Sequence, residues 1–76
     1  MNIKTQKREI QDALVNAFKQ CAAVLDYLDT QYYKACENEE NETLEQYKKR
    51  RLIEDEIIEL RLVKKGINNA LNPLTV

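Results

Sequence analysis

The chain contains no histidine and no tryptophan, and glycine and proline occur once each among its 76 residues. Turns draw heavily on glycine and proline, and a sheet protein of this length needs several turns, so all-β and α/β folds are nearly excluded. The missing histidine removes the commonest general base and metal ligand. Neither a CxxC pair nor a glycine-rich phosphate loop occurs. No apolar run approaches the roughly 20 residues of a membrane span, and the polar stretch Met1–Gln11 lacks the apolar core of a signal peptide. An excess of one charge is missing too. Twelve basic and 13 acidic side chains leave a net charge of −1, so the chain as a whole has no bias toward nucleic acid or anionic membrane. These absences predict a cytoplasmic protein that is not an enzyme, holds no cofactor and does not enter a membrane.

What remains is helical. More than half of the residues are Ala, Leu, Glu, Lys, Gln, Arg or Met, the strong helix formers. The apolar fraction of 43% is too high for disorder at so low a net charge. The predicted fold is all-α: a single helical-hairpin domain over residues 1–76, with a helix at 3–36, a connection at 37–42, a helix at 43–71 and a short tail at 72–76.

The first helix follows from Ile10, Leu14, Ala17, Cys21, Val24 and Leu28, spaced alternately by four and three. That is the seam of a helix packed lengthwise on another. Phe18, Leu25 and Tyr32 form a second row one position round, a breadth that suits a bundle. A break at Asp29-Thr30, a potential N-cap pair, would give three helices instead. Cys21 and Cys36 lie fifteen residues apart on this helix, about 22 Å, far beyond disulfide reach.

The second helix opens at Thr43-Leu44-Glu45-Gln46, the pattern of a capping box. Ile53, Ile57, Leu60, Val63, Ile67 and Leu71 follow along one side. Gly66 after Lys64 and Lys65 reads as a stop signal, yet the apolar phase runs on across it, which favours helix to about Leu71. Pro73 disfavours helix at the residue before it.

Leu44, Tyr47, Ile58 and Leu62 fall roughly opposite that side. A helix apolar on opposite sides has two neighbours, and one chain supplies only one. Chains this short commonly need disulfides, metal or oligomerisation. The expectation is therefore a homodimer forming a four-helix bundle, with Leu44, Tyr47, Ile58, Leu62 and Tyr33 as partner or oligomer contacts. Tyrosine suits an interface because its ring is buried while its hydroxyl stays wet.

Lys48, Lys49, Arg50 and Arg51 are the residues that would grip a polyanion. Their rival reading is an ion-paired surface, with Arg50 four residues before Glu54 and Arg51 four before Asp55. Glu54, Asp55, Glu56 and Glu59 point in different directions around the helix and predict no metal site. The expected function is a small non-catalytic protein–protein interaction module, an adaptor, inhibitor or regulator of the kind phages, plasmids and bacteria encode. A nucleic-acid-binding helical dimer using residues 48–51 is the alternative.

Overall fold

The computed structural model describes residues 2–37 and 39–74. Two α-helices, α1 (Ile3–Cys36) and α2 (Leu44–Leu71), pack along one another. Phe18 lies beside Lys64 and Tyr32 beside Glu54, so the two run antiparallel as a hairpin. One 3-10 turn, Glu39–Asn41, sits in the connection, and another, Asn72–Leu74, follows α2. The shape is a rod of 60 × 19 × 14 Å.

Each helix start is closed by a side chain. The Asn2 carboxamide accepts from the N–H groups of Lys4 and Thr5 at 3.1 and 3.3 Å. At α2 the capping box forms in full. The Gln46 N–H donates to Thr43 Oγ1 at 3.2 Å, and the Thr43 N–H donates to Gln46 Oε1 at 3.0 Å. Such caps satisfy backbone donors that the helix itself cannot, each worth about 1 kcal/mol.

α1 passes through Asp29-Thr30 without a break, because the Thr30 hydroxyl donates back to the Asp26 carbonyl at 3.0 Å and is satisfied inside the helix. α2 likewise continues through Gly66, which has no positive φ, so glycine serves there as an ordinary helical residue rather than a stop. Pro73 falls in the 3-10 turn just after the α-helix ends.

Leu25, Leu28 and Ile57 are the buried core among the described residues, with Tyr32, Ile53 and Leu60 packed against them. The seam on α1 is rotated from the one the spacing predicts. Its buried and half-buried members are Leu14, Phe18, Cys21, Leu25, Leu28, Tyr32 and Ala35, still alternating by four and three. Ile10 and Val24 are left 53% and 45% exposed. Leu14, Cys21 and Leu28 belong to both registers. The choice falls between the flanking rows, Ile10/Ala17/Val24 and Phe18/Leu25/Tyr32, and the second row carries more apolar area to remove from water.

α2 shows a similar shift. Ile53, Ile57, Leu60, Ile67 and Leu71 line the seam, but Val63 is half exposed and Lys64 takes the position expected of it. The lysine stem is half-buried while its ammonium sits 5.0 Å from the centre of the Phe18 ring, a cation–π contact that makes the substitution tolerable.

Candidate interaction surfaces

The connection end of the rod is tied together by polar side chains. Arg50 Nε donates to Glu42 Oε2 at 3.1 Å and Nη2 to Oε1 at 3.4 Å, a two-pronged bond from α2 back to the connection. Both side chains are nearly enclosed, 14% and 9% exposed. Arg50 Nη1 is also 3.5 Å from Glu54 Oε1, and its guanidinium lies 5.4 Å from the Tyr47 ring centre. Glu54 is shared further. Arg51 Nη1 donates to its Oε2 at 2.9 Å, and the Tyr32 hydroxyl donates to its Oε1 at 2.9 Å across the helix pair. The hydrogen bond to Glu54, and then one to Cys36, stabilise the protonated phenol and raise the Tyr32 pKa above its usual 10.0.

This arrangement divides the basic run. Arg50 is enclosed and paired with carboxylates of the same chain, Arg51 is paired with Glu54 but exposed, and Lys48 and Lys49 are exposed. Arg51 meets Glu54, three residues on, where its four-residue spacing had pointed to Asp55. The bond from Arg50 to Glu42 spans the start of α2, where no helical spacing rule operates, so it left no mark in the sequence. Tyr32–Glu54 is equally non-local, although the place of Tyr32 on a seam row was a partial signal.

Leu44, Tyr47, Ile58, Leu62 and Tyr33 all lie on the surface, between 46% and 70% exposed. Tyr33 and Ile58 are brought together. They line one open groove of about 280 Å³ with Tyr32, Glu54, Ile57 and Arg61. Leu44, Tyr47 and Leu62 do not line that groove.

The hairpin has two broad faces, one on either side of the seam, and they differ in chemistry. On one, Gln31, Lys34 and Ala35 of α1 lie beside Gln46, Lys49 and Ile53 of α2 in a groove of about 250 Å³. Seven-residue steps from Gln31 lead to Val24, Ala17 and Ile10, and from Lys49 to Glu56, Val63 and Ala70, so these rows share the face. The other face carries a groove of about 440 Å³ lined by Asp26, Asp29, Arg61, Lys64, Lys65 and Asn68 among others, with Arg61 Nη2 3.9 Å from Asp29 Oδ1. One face is thus apolar over its open-end half and carries Lys34, Lys49 and Glu56 toward the connection, while the other sets charged side chains around Phe18, Ala22 and Leu25.

Among the described residues no group of three or more His, Cys, Asp or Glu is placed to hold a metal ion, and no helix is long and apolar enough to cross a membrane. No protein-family model, curated protein or solved structure matches the chain.

Proposed function

We propose that this chain is a non-catalytic protein–protein interaction module, an adaptor, inhibitor or regulator that acts by contact, and that it works as a homodimer whose two hairpins make a four-helix bundle. The observation that carries this reading is surface. The chain exposes 6323 Å², whereas a compact protein of 8.9 kDa exposes about 4,800 Å². The excess of about 1,500 Å² per chain is the scale of one side of an obligate homodimer interface. It is accompanied by exposed large apolar side chains along both helices and only three buried residues among those described. An interior shared between two hairpins would cover those on one face.

Sedimentation equilibrium at micromolar concentration tests the dimer directly. A mass of twice 8.9 kDa is expected. A monomer that still unfolds in a cooperative transition would refute it. Leu44, Tyr47, Ile58, Leu62 and Tyr33 are the proposed contacts for a protein partner. Affinity capture from the native host should identify one protein whose recovery is lost with Ile58→Glu, because that change would bury an unpaired carboxylate.

Nucleic-acid binding through residues 48–51 is the second reading. It is weakened because Arg50 is enclosed against Glu42 and Arg51, though 57% exposed, is paired with Glu54, leaving Lys48 and Lys49 as the exposed cations outside those pairs. Binding of a duplex or single strand at physiological salt, lost in Lys48→Gln/Lys49→Gln, would favour it over the first.

A further inference from the structure

The rod is charged unevenly along its length. Phe18 against Lys64 places residues 61–65 of α2 level with residues near 18 of α1. The open end, residues 2–19 and 61–74, therefore holds seven basic and two acidic side chains. The rest, residues 20–60, holds five basic and eleven acidic, with Glu37, Glu39, Glu40, Glu42 and Glu45 clustered about the connection.

The two helices also differ in length. By the same pairing, α2 ends level with residue 11 or so of α1. The first eight residues of α1, Ile3–Ile10, project past it by about 12 Å, and every one of them is exposed. This arm carries Lys4, Lys7 and Arg8.

Given the homodimer proposed above, on which this inference rests, we propose that the second copy lies antiparallel across the face bearing Ile10, Ala17, Val24, Val63 and Ala70, so that the basic arm of each copy reaches the acidic connection of the other. Three observations select this arrangement. Those five residues include no ionisable group, whereas the opposite face carries Asp26, Asp29, Arg61 and Lys65. Along the whole rod the first face holds Lys34, Lys49 and Glu56, all toward the connection, against Asp26, Asp29, Arg61, Lys64 and Lys65 on the second, so burying the first covers fewer charges. A side-by-side pair, whose interface runs along most of the rod, would cover an area on the scale of the surface excess.

Charge then decides between the two side-by-side orientations. With like ends together, the glutamates about each connection would meet one another, and so would the cationic arms. With opposite ends together, each arm meets carboxylates. The lengths agree with the second choice. The paired body of α1 runs from about Gln11 to Cys36, and its midpoint falls at Val24. A two-fold axis there brings Val24 against its own copy and carries Lys4, Lys7 and Arg8 to the level of the opposing connection, residues 37–43. The same operation sets Ile10 near the groove whose apolar members are Ala35 and Ile53, beside Gln31, Lys34, Gln46 and Lys49. Ala17, small and half-buried, permits close approach of the helices nearby.

The test uses the full-length wild-type chain first. Isotope-labelled and unlabelled protein are mixed, treated with a zero-length carbodiimide crosslinker, and mapped by mass spectrometry. Links between labelled and unlabelled chains should join Lys4 or Lys7 to Glu37, Glu40 or Glu45. Reversing the arm, Lys4→Glu/Lys7→Glu/Arg8→Glu, should raise the dimer dissociation constant about tenfold or more at low salt, and much less at high salt. Mixing that variant with Glu37→Lys/Glu40→Lys/Glu45→Lys should restore a heterodimer. Val24→Glu should give a folded, helical monomer, since that side chain is already 45% exposed in the single hairpin, while Ile58→Glu should leave the dimer intact. A wild-type monomer by sedimentation would sink the homodimer itself. A wild-type dimer that survives Val24→Glu, dissociates with Ile58→Glu, or yields no inter-copy Lys–Glu links would leave the homodimer standing and overturn this face and orientation.

Discussion

Removing the Glu42 carboxylate should destabilise the fold by about 2 kcal/mol, more than an exposed ion pair and less than a fully buried one. The bounds come from general behaviour. Exposed pairs contribute roughly 0–1 kcal/mol, and breaking a buried pair by deleting one partner costs about 3–5 kcal/mol. The Glu42 and Arg50 side chains are 9% and 14% exposed and meet through two bonds, which places them toward the buried limit. Glu54, 3.5 Å from the same guanidinium, continues to compensate it after Glu42 is gone, which lowers the cost. Glu42→Gln keeps the length of the side chain and is the suitable change. In a domain of this size a loss of about 2 kcal/mol lowers the melting temperature by roughly 8–16 °C. Thermal melts by circular dichroism at one fixed protein concentration would read it, the concentration being held because association shifts the midpoint. Glu42 also sits just before α2, where a carboxylate gains from the helix dipole. The double-mutant cycle with Arg50→Gln separates that contribution from the pair. A coupling energy below about 0.5 kcal/mol in that cycle would show that the enclosed bidentate geometry does not stabilise the fold.

Ile57→Ala removes a core member and should cost about 2–5 kcal/mol by the same melts, enough to leave a chain with so few buried residues largely unfolded; a loss under 1 kcal/mol would mean that the seam is not the true core. Gly66→Ala should stabilise by about 0.5–1 kcal/mol, because Gly66 lies inside α2 and an added Cβ would meet nothing within 4 Å. A decrease in melting temperature would reveal a contact on that side of the helix. The raised Tyr32 pKa means that the folded chain holds this phenolic proton more tightly than the unfolded one. The resulting stabilisation is complete below the unfolded value near 10 and is lost as pH rises through the folded value. An ultraviolet titration should show one tyrosine ionising late and losing that delay in Glu54→Gln, whereas a late step unchanged by Glu54→Gln would assign the shift elsewhere.

The hairpin was legible because its signals are local. The Thr43–Gln46 box, the apolar phase across Gly66 and the polar stretch between the helices each act within a few residues, and each is realised where the spacing put it. The rotation of α1 was not legible to the same degree. Ile10/Ala17/Val24 and Phe18/Leu25/Tyr32 are both proper seven-residue rows beside Leu14/Cys21/Leu28, and only the opposing helix decides which turns inward. Position 63 misled for a related reason: valine looks like a core residue, and lysine at 64 does not until Phe18 is set against it. The polar ties at the connection were half legible. Arg50–Glu54 follows helical spacing, whereas Glu42–Arg50 and Tyr32–Glu54 join segments whose meeting depends on the completed hairpin.

The concentration of these ties at one end also bears on the order in which the chain folds. The capping box, the Glu42–Arg50 bond and the Tyr32–Glu54 bond all close loops near the connection, where the entropy lost in bringing residues together is smallest. Helix pairing should nucleate there and zip toward the open end, as expected of a low-contact-order topology. In the native chain the reverse gradient follows. Amide protons near residues 3–10 should exchange almost as freely as in an unassociated helix, while those near 25–32 and 50–57 should exchange only when the whole hairpin opens. Association of two copies in opposite directions would erase that gradient, because the end that frays in one would be covered by the end that nucleates in the other.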